Sequence, residues 1–290
     1  MRLLNRLCAA LATGILLQST ASWAVALATV EVVQAPAWVD RQGRSLPLAP
    51  GMELQSGDLV RTGDGARAYL MLAEGSRVKL GESARFSLHT RSTQPQKSFR
   101  GALDVLTGAF RFTTAKLKKS VSRDVAIRVG TATVGIRGTD VWGKTDKDGD
   151  LVALLEGRIE ITRAGQTIEM SQAMSYFDAP TGKAAEVKPL DLETFARLAR
   201  QTDIIAGDGA AGTKGKWSVL AGAAATQEAA LEIYDQVRDA GFGARVRPRA
   251  VEGGDWRYEV TIRGFASAAE AEVAAARLKK ATELKPLVTR

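Results

Sequence analysis

"TATVGIRGTDVWGKTDKDGD", residues 131–150, gathers four glycines, an arginine and four aspartates into one stretch. A nucleotide loop would need a glycine-rich turn that opens a helix, whereas the residues after these glycines read as another strand. A calcium loop built on Asp146, Asp148 and Asp150 would put Leu151 where the sharp turn requires glycine. It would also put Gly157 where the distal bidentate glutamate belongs. Asp148-Gly149 instead sits between two β runs, Gly138 to Lys144 and Leu151 to Leu155, a strong hairpin signal. Val129, Val134 and Ile136 fit buried strand positions, and Gly135 and Gly138 suit a bulge or a close backbone approach. The stretch is therefore expected to be structure, two strands and a turn, and the region around it an all-β domain.

Outward from there, the chain from Val30 to about Val187 is a series of short β segments. Examples are Ala68 to Leu72, Arg77 to Leu80, Val125 to Val129, Leu151 to Leu155 and Arg158 to Ile161. Turn residues such as Ala49-Pro50-Gly51, Ser56-Gly57-Asp58, Thr62-Gly63-Asp64 and Glu74-Gly75-Ser76 punctuate them at close intervals. Many short strands with few helical stretches predict a sandwich or roll over residues 29–190. "DLETFARLARQTD", 191–203, changes to helical spacing with Leu192, Phe195, Leu198 and Ala199 on one face. "AGDGAAGTKGK", 206–216, has the composition of a flexible linker.

The C-terminal part has a different period and repeats itself. "WSVLAGAAATQEAALEIYDQV" (217–237) and "YEVTIRGFASAAEAEVAAARL" (258–278) align, each a strand followed by a helix. Thr226 and Ser267 are N-cap residue types, and Ser267 with Glu270 predicts a capping box. Ala230, Ile233, Tyr234 and Val237 stripe the first helix, and Ala271, Ala274, Ala275 and Leu278 the second. Gly241 is placed to end the first helix. With further strands at 244–251 and 284–289, the order βαββαβ predicts a ferredoxin-like sheet with two helices on one face over residues 217–290.

The N-terminus carries Arg2 and Arg6, an uncharged run from Leu7 to Leu17, and a small, polar stretch ending in small-x-small tripeptides. That is the layout of a secretory signal within residues 1–28, with cleavage after Ala24, Ala26 or Ala28. The apolar core is short for a membrane span, no second run approaches one, and the only cysteine, Cys8, lies inside the signal. A periplasmic, disulfide-free protein is expected, with no membrane span after cleavage. Its net charge of +8 falls to +6 on losing Arg2 and Arg6, because residues 1–28 carry no acid. A moderately basic exported chain suits anionic cell-wall polymer or lipid headgroups, and export argues against nucleic acid.

These residues carry two resemblances. Trp217-Ser218-Val219-x-x-Gly222, the helix running into Ala240-Gly241-Phe242, and Tyr258-x-Val260-x-Ile262 leading to Phe265-Ala266-Ser267 resemble the SPOR domain. That resemblance implies a periplasmic module for peptidoglycan glycan strands stripped of their stem peptides. Gly51 to Gly63, Ala73 to Leu80, Leu106-Thr107-Gly108 and Ala132 to Val141 are similar to the FecR domain. In that family's sigma-regulating members a cytoplasmic segment and a membrane span precede the domain. Their absence from this sequence leaves the expectation of a periplasmic β-module with an unidentified ligand or envelope protein partner.

Catalytic chemistry has little to draw on. His89 is the only histidine and no cysteine lies outside the signal, so zinc sites and Ser-His or Cys-His nucleophiles are not expected. No catalytic residue, metal site or cofactor is assigned, and a non-enzymatic protein is expected. A binding surface is better marked. Period-2 alternation puts Val219, Ala221, Val246, Tyr258, Val260 and Ile262 under the helices. The same parity leaves Ser218, Leu220, Arg245, Arg247, Arg249, Arg257, Glu259, Thr261 and Arg263 on an open face. Arginine forks bind carboxylates bidentately, and a peptide-stripped strand exposes a lactyl carboxylate on each muramic acid. Against the SPOR pattern, Leu220 stands where many members carry glutamine, Glu259 where they carry arginine, and Arg263 in place of a glycine. RNA-recognition domains share the βαββαβ order but stack bases on open-face aromatics, and this face has none. The alternative to glycan binding is an envelope scaffold or signalling module that acts through protein contacts.

Overall fold

The computed structural model describes residues 26–90, 98–115, 122–251, 253 and 255–290. Strands β1 (Ala28–Gln34), β2 (Ala37–Arg41), β3 (Arg44–Pro47), β4 (Glu53–Leu54), β5 (Leu59–Thr62), β6 (Arg67–Leu72), β7 (Arg77–Leu80) and β8 (Arg85–Thr90) open the chain. They lead into the long strand β9 (Ser98–Thr113), then β10 (Ser122–Val129), β11 (Ala132–Asp146) and β12 (Gly149–Arg163). β13 (Gln166–Met170), β14 (Ser175–Pro180) and β15 (Glu186–Pro189) close the all-β part.

Three long strands turn this part into a roll. The end of β9 pairs with β7 and with the second half of β11, while its start pairs with β8 and, in parallel, with β10. β12 likewise pairs with β14 through its first half and β13 through its second. Inward residues alternate with outward ones, as in β6, where Ala68, Leu70 and Leu72 are buried. The resulting core holds Phe86, Phe110, Phe112 and Phe177, and each such buried side chain contributes about 1.5–3 kcal/mol.

The opening stretch is two strands and a turn, but its turn lies one residue earlier than the Asp-Gly pair indicates. Lys147 and Asp148 are its central residues, and Asp146 already pairs with Gly149. Asp148 donates its N–H to the Asp146 carboxylate at 2.8 Å. Lys144, 2.6 Å away, holds the Asp146 carboxyl below the usual carboxylate range. Asp150 is buried and accepts from the Thr131 N–H and from the hydroxyls of Thr131 and Thr145. Gly138 to Thr145 has the glycine and Lys-Thr spacing of a phosphate loop, yet all of it is strand. Gly138 sits at a bulge between Arg137 and Asp140 with φ +66°. Gly135 does not share that role. It is paired regularly with Glu160, and a Cβ there would meet only ordinary contacts.

Helix α1 (Leu192–Thr202) comes next, capped by Asp191, whose side chain accepts from the Thr194 N–H. Leu198 and Phe195 pack with Trp142, Ala153 and Leu190 on the outer side of the roll, while Leu192, expected on the same apolar face, is exposed. The helix thus belongs to the β-domain by packing.

β16 (Ala210–Gly212), β17 (Trp217–Ala224), α2 (Gln227–Asp239), β18 (Ala244–Ala250), β19 (Trp256–Phe265), α3 (Ala268–Ala281) and β20 (Leu287–Thr289) complete the chain. The last six form the βαββαβ unit, with antiparallel strand order β20-β17-β19-β18. Both helix stripes and the predicted apolar strand face meet in its core. α2 ends at Gly241, φ +79°, with Phe242 N–H to Val237 O and Gly241 N–H to Arg238 O, the bond pair of a Schellman motif.

Composition read residues 206–216 as a flexible linker, and the structure holds them differently. Strand β16 pairs with β1 on one side, at Val32, Val33 and Gln34, and meets β19 on the other, Ala211 opposite Phe265. The Glu270 carboxylate accepts from the N–H groups of Gly207, Gly209 and Ala210 at 2.7, 2.5 and 2.9 Å. This corrects the expected capping box. Ser267 does cap α3, accepting from the Glu270 N–H, but the Glu270 side chain turns away to the connecting segment. Further bonds tie the domains: Ala37 N–H to Gly241 O, and Arg277 to Ala35 O.

Candidate functional site

Backbone register decides which side chains share the open sheet face. Arg245 lies opposite Thr261, Arg247 opposite Glu259 and Arg249 opposite Arg257 across β18 and β19. Ser218 lies opposite both Arg263 and Thr289, and Leu220 opposite both Thr261 and Leu287. The helices cover the other face, so these side chains meet nothing from their own domain above them, and Arg245, Arg247, Arg249, Arg257 and Arg263 are exposed.

Between them runs a groove of 380 Å³, lined by Arg245, Arg247, Arg249 and Arg263 together with Ser218, Leu220, Glu259 and Thr261. Arg257 does not line it. Opposite Arg249, it stands at the far end of β19. Ser218 lines it but is almost fully buried. Glu259 is not a bare negative charge facing the arginines, because Arg249 donates to it at 2.8 Å. Leu220 and Leu287 make an apolar spot at one edge. The glycine absent at Arg263 is present one place on. β19 continues to Phe265, and Gly264 takes φ +106°.

Three further lining residues escaped the sequence reading, Pro248, Thr289 and Arg290. Extending the period-2 pattern through the last strand would have found Thr289. Arg290 is placed by a tertiary contact, its guanidinium 5.8 Å from the centre of the Trp217 ring.

Charge sets the chemistry open to this face. Five guanidiniums and one carboxylate line a groove open to solvent, an arrangement suited to a linear ligand that repeats a carboxylate.

Elsewhere, Ser87, His89 and Asp104 approach one another, but not as a relay. Ser87 Oγ is 2.9 Å and Asp104 3.4 Å from the same imidazole nitrogen, Nε2. A triad needs the base to use one nitrogen for the nucleophile and the other for its orienting acid. Asp104 is also held by Arg128. Among the described residues no helix is long and apolar enough to cross a membrane.

Residues 58–160 match the family described as FecR protein, and residues 213–290 the one described as SPOR domain. No curated protein matches the sequence. Two crystal structures of a candidate anti-sigma factor from Parabacteroides distasonis overlap the chain at 13% identity. One covers 76% of this chain and 90% of its own with a TM-score of 0.41, the other 71% and 99% with 0.40, overlaps too loose to transfer a function. Family match, strand order and core agree, and the chain carries a FecR domain followed by a SPOR domain.

Proposed function

We propose that this is a non-enzymatic protein of the periplasmic envelope whose SPOR domain holds peptide-stripped glycan strands in the arginine groove, while the FecR domain engages a second partner. The observation that supports it is the convergence of Arg245, Arg247, Arg249 and Arg263 on one uncovered sheet face. Each fork can take a carboxylate bidentately, and a charge-assisted bond of this kind contributes about 1.5–3 kcal/mol.

Co-sedimentation of the mature chain with purified sacculi, before and after amidase removal of stem peptides, tests this reading. Binding is expected to rise on stripping and to fall at least about tenfold in Arg245→Ala/Arg247→Ala. Equal binding by the double variant would remove the groove from the account. A second reading, an envelope scaffold acting through protein contacts, draws on the apolar hollow of 460 Å³ where exposed Trp256 and Leu231 meet Val246 and Pro248. Retained sacculus binding on Trp256→Ala, with loss of a co-purifying envelope protein, would favour it.

Export places one further demand on the chain. Residues 1–25 of the expected signal lie outside the described residues, but Leu27 is buried and exchanges backbone bonds with Leu54 and Ala73, and Ala28 pairs with Leu54 and Leu72. Cleavage after Ala28 would strip Ala28 from the first strand together with the buried, hydrogen-bonded Leu27 just before it. Mass spectrometry of the exported protein is therefore expected to give Val25 or Leu27 as the first residue, and Thr29 would contradict this.

A further inference from the structure

Arg290 lines two hollows at once, the arginine groove and a cleft of 740 Å³ between the two domains. The FecR domain contributes Glu31, Tyr69 and Arg77 to the cleft, and the connecting segment contributes Lys214, Lys216 and Trp217. The acids in the cleft are engaged. Arg77 donates to Glu31 at 2.7 Å, and Glu270 accepts three backbone N–H bonds. Lys214 and Lys216 are exposed, so with Arg290 they leave the cleft with an excess of positive charge.

These lysines are not on a loose tether. Pairing of β16 with β1 and the Glu270 bonds fix the chain just before them, and Trp217 begins β17 just after. Gly215 lies so close to Gly264 that a Cβ there would fall 2.1 Å from the Gly264 carbonyl oxygen. Lys214 and Lys216 flank that contact and are held at the rim, and Arg290 over the Trp217 ring joins the rim to the groove.

We propose that the cleft is a second subsite for the same ligand class, a carboxylate-bearing glycan strand that leaves the arginine groove over Arg290 and continues between the domains. This rests on the groove reading above. A polymer that repeats its carboxylate needs cations repeated along its path, and a second subsite on the same chain converts added strand length into added affinity without a second encounter.

Calorimetry of the full mature chain with peptide-stripped strands sorted by length tests it. Affinity is expected to rise with length in the unaltered protein. Lys214→Ala/Lys216→Ala should bind the shortest strands normally and the long ones about fivefold more weakly. Arg245→Ala/Arg247→Ala should bind every length more weakly. Unchanged long-strand affinity in the lysine variant overturns the second subsite while leaving the groove reading intact. Unchanged affinity at all lengths in the arginine variant overturns the groove reading and the second subsite with it. A thermal melt of each variant separates lost binding from lost fold.

Discussion

Glu270→Ala is expected to destabilise the SPOR half of the chain by about 3 kcal/mol or more and to expose the segment between the domains to proteases. Its carboxylate is buried, 8% exposed, and accepts from the N–H groups of Gly207, Gly209 and Ala210. Each buried donor left without an acceptor costs about 1–3 kcal/mol, and alanine would orphan buried Gly209 and half-buried Ala210, while the exposed Gly207 N–H can turn to water. Glu270→Gln keeps one acceptor oxygen, so its loss should be about half as large. Denaturant unfolding followed by tryptophan fluorescence measures the difference. Limited trypsin digestion reads the second consequence, because Lys214 and Lys216 lie just beyond the segment that Glu270 holds. An alanine variant with an unchanged midpoint and no new cleavage would show that the β16 pairing alone carries the connection.

Gly157→Val is expected to cost the FecR domain about 3 kcal/mol or more. Gly157 has φ +92°, and a Cβ on it would lie 2.3 Å from the Gly138 carbonyl oxygen, a backbone atom that cannot step aside. This is where the register of β11 against β12 shifts between Arg137 and Asp140, so the two glycines face each other across a bulge in the longest hairpin of the roll. Valine adds a β-branched side chain in the left-handed region as well as the clash. Gly135→Ala provides the control, since its neighbours begin at 3.8 Å, and should stay within about 1 kcal/mol of the unaltered protein. Equal melting temperatures for the two variants would mean that the bulge relaxes without cost.

The two glycine variants separate what was legible in the residues from what was not. "VGIRG" marks a bulge in sequence, and Gly138 is one, but nothing local distinguishes it from Gly135, and Gly157 carries no signal of its own. Asp148-Gly149 announced the hairpin correctly and misplaced its turn by one residue, because Asp146 and Gly149 pair and leave Lys147 and Asp148 as the loop. Parity along β18 and β19 placed Arg245, Arg247, Arg249, Glu259 and Arg263 in one groove. It also brought in Arg257, which shares the face but stands outside the groove. The glycine-rich run 206–216 misled for a physical reason. Composition cannot tell glycines that confer freedom from glycines required by close packing, and here Gly209 and Gly215 lie against α3 and Gly264.

Local periodicity was enough to determine an all-β unit followed by a βαββαβ unit, the caps Thr226 and Ser267, the stop at Gly241 and the open arginine face. Periods of two and 3.6 are properties of neighbouring residues and need no knowledge of the rest of the chain. Only the tertiary structure decided that Glu270 serves the connecting segment 60 or more positions away, that β16 joins the two domains, and that Arg290 stands between groove and cleft. Each of these depends on which distant backbone comes within bonding range, and that is fixed by packing rather than by any pattern along the chain.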